Sequence, residues 1–243
     1  MGQAGSERDV CLQLARFAEA PDLPPIATGI STLDAALGGG LPRGRILELF
    51  GPASSGKTTL AMRIAAHLQD SGGVAVWIDA ERAFDPEYAA SVGVDIQRLT
   101  VVQPNSAEEA LEIGARLGAS GAVDLLIVDS AAALVPDLEL HTTLGSSGSG
   151  LQTRVMASGL RRLGLALRRF RTVALFINQT RIVHLPNGPV ASSAGGAPLK
   201  LHAAVRIALG GGLRFRIVKN RVTTAFSEGD LTPFWRPAFP KMR

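Results

Sequence analysis

The chain has 243 residues, 46% of them hydrophobic and 19% charged, with a formal net charge of +4 and an isoelectric point near 9.8. That length suits one large domain with room for a small appendage, and no unbroken apolar run reaches the roughly 18 residues of a membrane span. The first residues lack the basic-then-apolar layout of a secretory signal, and the single cysteine, Cys11, excludes an intrachain disulfide and fits a reducing cytoplasm.

Residues 1–25 read as a separate piece. Positions 7–20 space Val10, Leu12, Leu14 and Phe17 as an amphipathic helix, and Pro21, Pro24 and Pro25 then make a semi-rigid linker. From 26 to 243 one core is expected. Ser31 or Thr32 is placed to cap a short helix, which Gly38, Gly39 and Gly40 end.

Residues 45–50 form an apolar-rich run short enough for a buried strand, and 60–68 carry helical apolar spacing. Between them stands Gly51-Pro52-Ala53-Ser54-Ser55-Gly56-Lys57-Thr58-Thr59, which reads G-x-x-x-x-G-K-T, the phosphate-binding loop. Gly51 and Gly56 let the backbone curl until successive N–H groups face phosphate oxygens. The helix start adds its positive dipole end. Lys57 brings charge to the outer phosphates, and the Thr58 hydroxyl can ligate Mg²⁺.

A second buried strand at 74–79 leads into Ala80-Glu81-Arg82. Carboxylates at the C-terminal ends of strands sit where open α/β sheets hold their ligands. Glu81 is thus a candidate to activate water against a terminal phosphate, with a solvated turn acid as the plainer alternative. Residues 85–90 look helical and hold Tyr88, the only tyrosine, which either stacks on adenine or lies half-exposed. A third strand covers 99–102, and Ser106 caps the helix after it. The apolar run 123–128 ends in Asp129 and Ser130, a second nucleotide-site signature in which Asp129 joins the Mg²⁺ shell.

Residues 141–150 are rich in glycine and serine and read as a mobile loop. The long helix expected at 151–169 carries Arg154, Arg161, Arg162, Arg168 and Arg169, either a solvated face or the border of a nucleic-acid channel. The central strand 172–179 is tipped by Asn178 and Gln179; a neutral amide there can donate to a γ-phosphate and let go after hydrolysis. It opens into 180–198, read as a Gly/Ser/Pro loop holding Arg181, Gly195 and Gly196, the layout of a switch segment. A hairpin follows, 204–209 and 213–218 about a glycine turn, basic through Arg214, Arg216, Lys219 and Arg221. The pattern predicts an α/β domain, a mostly parallel twisted sheet with helices on both faces and a C-terminal antiparallel hairpin.

With these motifs in order, residues 28–226 resemble the RecA recombinase family. The specific matches are 51–60, the stretch Ile78-Asp79-Ala80-Glu81-Arg82-Ala83-Phe84-Asp85-Pro86 with Tyr88, then Leu126 to Ser130, Phe176 to Gln179, and Val218-Lys219-Asn220-Arg221. The resemblance implies a RecA-like P-loop core that binds ATP and Mg²⁺. In it Glu81 orients the attacking water, Asp85 and Tyr88 contact adenine, and Gln179 links the γ-phosphate to the second DNA-binding loop at 180–198. Lys219 and Arg221 correspond to residues that reach the ATP of an adjacent subunit. The first DNA loop corresponds to 141–150, and the implied DNA contacts include Arg154, Arg181, Gly195, Gly196 and Lys200. The implied partners are single-stranded DNA, duplex DNA as well, and further copies of the chain in a filament; the implied activity is a cytoplasmic DNA-dependent ATPase of recombination, repair and the SOS response. The short N-terminal piece shows no evident packing strand, and the C-terminal domain of typical recombinases is expected to be absent. A short core of this kind also resembles ImuA proteins, accessory factors that work with translesion polymerase components.

Overall fold

Short apolar runs become the centre of the molecule, because a strand covered on both faces needs no polar side. The computed structural model describes residues 23–142, 150–185, 188–193, 196–223 and 226–231. The expected N-terminal helix, positions 143–149 of the first loop and the tail from 232 lie outside them. In chain order the elements are α1 (Ser31–Leu37), β1 (Ile46–Gly51), α2 (Lys57–Asp70), β2 (Ala75–Asp79), α3 (Pro86–Val92), β3 (Thr100–Val102), α4 (Ala107–Gly118) and β4 (Leu125–Asp129). Then come α5 (Asp137–Leu140), α6 (Leu151–Phe170), β5 (Val173–Leu185), β6 (Gly188–Ser193), α7 (Ala197–His202), β7 (Val205–Leu209), β8 (Arg214–Asn220) and β9 (Glu228–Asp230).

Strands β3, β2, β4, β5, β1 and β7 lie side by side in that order and are all parallel. Alternation along them splits the core in two. Leu47, Leu49, Ile127 and Ile177 pack with Leu60 and Ile64 of α2 and with α1 on one face. Ile46, Val128 and Phe176 pack with Leu160, Leu163 and Leu167 of α6 and with α4 on the other. The expected hairpin is present: β8 runs antiparallel to β7, with a register shift between Arg206 and Ile207.

Three local expectations change. Neither Ser31 nor Thr32 caps α1; both lie inside it, and Ile30 holds the cap position with no side-chain bond. Asp34 does the fastening instead, accepting from the Thr28 amide at 2.8 Å and the Thr28 hydroxyl at 2.7 Å. The segment 180–198 is not all loop, since β5 continues to Leu185 and pairs antiparallel with β6. Its sequence holds β-branched Ile182 and Val183 and an Asn187-Gly188 pair, which are strand and hairpin signals that the neighbouring prolines and glycines masked. Finally, β9 extends the sheet beyond β8 and had no counterpart in the sequence reading.

Candidate nucleotide site

Strand β1 delivers the phosphate-binding loop to the edge where the parallel strands end. Gly51 closes β1, and a Cβ there would lie 2.5 Å from the Leu209 carbonyl oxygen and 2.9 Å from Ser55 Oγ. Its glycine is therefore required by close packing against β7. The curl expected of it falls instead to Gly56, at φ 85°, and to Ser54, at φ 57°. Helix α2 begins at Lys57 with Gly56 as its cap, so its free amides and dipole end point out of the loop. Lys57 is buried, and its Nζ donates to the Pro52 carbonyl at 2.6 Å and to Ser55 Oγ at 3.4 Å. Burial lowers its pKa, while the charges of Asp129 and Glu81 oppose that shift.

Asp129 ends β4 directly across from this loop. The Thr58 hydroxyl donates to Asp129 Oδ2 at 3.0 Å. Burial pushes the Asp129 carboxyl up to about 6; the Thr58 hydrogen bond and Lys57 oppose the rise, and Glu81 and Asp79 add to it. The amides of Ala80 and Glu81 both donate to the Asp129 carbonyl, at 2.8 and 3.2 Å, which ties the turn after β2 to the end of β4. The Ser130 hydroxyl donates to Glu81 Oε1. Lys57, Thr58, Glu81, Asp129 and Ser130, spread over 74 positions of sequence, thus form one linked cluster.

Two positioning devices escaped the sequence reading. Buried Asp79 accepts from the amides of Ala83 and Phe84, each at 3.1 Å, and from Gln103 Nε2 at 3.0 Å. It holds closed the turn that presents Glu81. Arg82, at φ 53°, donates to Asn105 Oδ1 at 2.8 Å and fastens the same turn from outside. The second device lies beneath the loop. Glu48, fully buried in β1, accepts from Asn178 Nδ2 at 2.8 Å and from Arg206, whose guanidinium lies 4.5 Å from the Phe50 ring centre. A buried carboxylate persists only with such partners.

That network separates the two amides at the tip of the central strand. Asn178 is buried and bound to Glu48, and its Oδ1 accepts from the Gln179 amide at 2.9 Å. Gln179 is exposed and stands in register with Gly51. On the other flank Asp85 caps α3, accepting from the Tyr88 amide at 3.0 Å, and the Tyr88 hydroxyl meets Thr59 Oγ1 at 2.7 Å. Pro52, Ala53 and Ser55 fill the loop between β1 and α2.

Residues 8–235 match the model of a family described as the RecA N-terminal domain. The chain belongs to the RecA family. Protein RecA of Frankia alni is 45% identical over 225 residues, covering 86% of this chain and 65% of that protein. Protein RecA of Clostridium acetobutylicum is 44% identical over 224 residues, covering 86% and 64%. Protein RecA of Mycobacterium avium is 47% identical over 220 residues, covering 84% and 63%. The chain therefore spans a little under two thirds of the length of these RecA relatives.

Lys219 and Arg221 lie apart from the nucleotide cluster. Asn220 pairs with Val205, which is level with Leu47, so Lys219 and Arg221 lie at the end where the parallel strands begin. From Leu47 to Gly51 is about 13 Å along the strand. Lys219 Nζ donates to the carbonyls of Lys200 at 2.6 Å and Leu201 at 3.2 Å, closing the end of α7. Burial lowers its pKa first, and then Arg221 and Arg206. Arg154 is exposed in the first turn of α6. Gly196, at φ 76°, precedes α7, and a Cβ on it would be 3.5 Å from Thr153 Oγ1. The roots of the two expected DNA loops therefore meet. Arg181 lies in β5 opposite Ser192, Lys200 lies in α7, and Gly195 is outside the described residues.

Proposed function

We propose that the chain binds ATP with Mg²⁺ at this cluster and hydrolyses it to ADP and phosphate in response to single-stranded DNA, acting in recombination, repair and the damage response in the cytoplasm. The observation that carries the reading is the convergence of Thr58 with Asp129, and of Ser130 with Glu81, beside Lys57. The donor set fits the ion: a hydroxyl and a carboxylate are hard oxygen ligands suited to Mg²⁺. Among the described residues no group of three or more His, Cys, Asp or Glu side chains could hold a metal by itself. That supports an ion held jointly with the nucleotide. When bound, Mg²⁺ supplies charge neutralisation on the phosphates, with Thr58 and Asp129 as its protein ligands.

The chain's own groups divide the rest of the work. The loop amides and Lys57 grip the β- and γ-phosphates. Glu81 orients a water for attack on the γ-phosphorus and draws off its proton as the bond to the β–γ bridging oxygen breaks. Asp85 and Tyr88 flank the adenine. Gln179 reads the γ-phosphate, and its strand carries that reading into 180–193 and so to DNA, together with 141–150, Arg154, Arg181, Gly195, Gly196 and Lys200. Because Lys219 and Arg221 stand at the far end of the sheet from their own loop, they serve the ATP of an adjacent copy in a filament. The relatives named above are all called Protein RecA, which supports this role over that of a translesion accessory factor.

The test is ATP turnover with and without single-stranded DNA. The chain should be stimulated by DNA, and Lys57→Ala should abolish turnover. Retained turnover in that variant rules out the site as drawn.

A further inference from the structure

Glu48 is fully buried in β1, among apolar neighbours: Phe176 stands opposite it on β5, and Ile46 and Phe50 share its side of the strand. A buried ion pair costs stability, and apolar replacements of such pairs are often as stable or more so. The pair made by Glu48 therefore calls for a task beyond holding the fold together. Arg206, level with Glu48 on β7 and 17% exposed at its side chain, donates its Nε–H to Oε2. That leaves Oε1 for Asn178 Nδ2, at 2.8 Å.

Strand β5 loses a neighbour just before Asn178 and Gln179. Its ladder with β4 ends at the pair of Val128 and Phe176. The Val173 amide donates to Asp124 on the β4 side, and the Ala174 amide donates to Arg45 on the β1 side. Alternation along the strand thus turns the Gln179 amide toward the β4 side, beyond the end of that ladder. Asn178 Oδ1 accepts from this amide, at 2.9 Å. A side-chain amide can present either its oxygen or its nitrogen to a partner. A carboxylate only accepts, so Glu48 makes Asn178 turn its nitrogen inward and keep its oxygen for Gln179. The charge on Glu48 also strengthens the bond that does this.

We propose that Glu48 is a positioning residue of the nucleotide site. Acting through Asn178, it fixes the backbone from which Gln179 reads the γ-phosphate, and Arg206 balances its charge. This rests on the role of Gln179 proposed above. Gln179 stands level with Gly51, so a shift of its backbone moves it relative to the phosphate-binding loop. Misplacement of a group by about 1 Å can cost about 10²-fold in rate.

Two measurements on the full chain test this: exchange of the Gln179 amide followed by NMR, and ATP turnover with single-stranded oligothymidylate. The double variant Glu48→Leu with Arg206→Met removes the ion pair without leaving a lone buried charge. The charges of Glu48 and Arg206 act on Lys219 with opposite sign, so their joint removal leaves little net change around it. In this variant the Gln179 amide should exchange about tenfold faster or more. Its kcat with oligothymidylate should fall roughly 10- to 100-fold, while KM for ATP stays within about twofold. Glu48→Gln with Arg206→Met keeps an acceptor for Asn178 and should restore most of both readings. Should the first variant not fold, Asn178→Leu takes its place with the same expected readings, because it leaves the pair of Glu48 and Arg206 whole. Parent-like exchange or parent-like kcat in the folded variant would overturn the proposal. A merely structural Glu48 would lower the unfolding midpoint and move neither reading. A parent chain whose turnover ignores oligothymidylate would sink the function proposed above, and the exchange measurement would still decide whether Glu48 positions Gln179.

Discussion

Where the parallel strands end, charges of opposite sign are interleaved. Lys57 lies between Asp129 and Glu81, Asp129 takes the Thr58 hydroxyl, and Asp79 takes three donors. Where the same strands begin, Arg45, Arg168 and Arg171 line one cavity, and no acidic residue is among its described lining residues. The difference separates two kinds of work. Groups held in place by their neighbours can act at once on a developing charge, because little has to reorganise. Guanidinium groups of one sign repel one another and set up a positive field. In the function proposed above, the first edge is the one that works on a phosphorus atom.

Arg221 offers the largest break in that contrast, since it stands at the arginine-rich edge but is proposed to serve chemistry in the next copy. Turnover should rise steeply with protein concentration, and Arg221→Ala should lower it by about 10³-fold at saturating protein, as expected for an arginine supplied in trans. Binding of ATP to the isolated chain should not change. If turnover of this variant matched the parent at every concentration, the two edges would work independently. Next in size is Glu81→Gln, which should slow hydrolysis by about 10²-fold or more while leaving ATP affinity intact. A normal rate would mean that another group, or none, prepares the water.

How far the sequence exposes each edge follows from how its residues are spaced. The phosphate-binding loop is contiguous, so nine neighbouring residues reveal it, and Asp129 is marked by the apolar strand it ends. The parallel core was legible for a similar reason, since fully buried strands are unbroken apolar runs. Asp79 was hidden because its donors at Ala83 and Phe84 exist only once the turn has formed. Asn178 and Gln179 look equivalent on paper. Strand alternation, together with Glu48 at 130 positions' remove, decides which one faces inward. The hairpin of β5 and β6 was obscured because glycine and proline outweighed its β-branched residues in the local composition. The cavity where the parallel strands begin joins Arg45 to Arg168 across 123 positions, and no local pattern connects them.

Acidity separates the two edges with the smallest effect of all. The Asp129 carboxyl moves from an ordinary 3.8 to about 6, chiefly through burial. A raised carboxylate value means that the native state still holds a proton that the unfolded chain has lost, between about pH 4 and 6. Stability from this group is therefore greatest below that window, falls as pH rises through it, and levels off above about 6, by at most about 3 kcal/mol. Asp129→Asn should flatten that step in a chemical-denaturation series. Ligation runs the other way, because only the ionised carboxylate holds a cation. Magnesium-dependent affinity for an ATP analogue should weaken as pH falls below about 6, by up to tenfold per unit, and the dependence should vanish in Asp129→Asn. Arginine keeps its charge throughout this range, so the charge of the opposite edge should stay level over the same titration. Magnesium-dependent affinity that stayed flat down to about pH 5 would remove Asp129 from the cation site, and with it the balance of charges that sets this edge apart from the other.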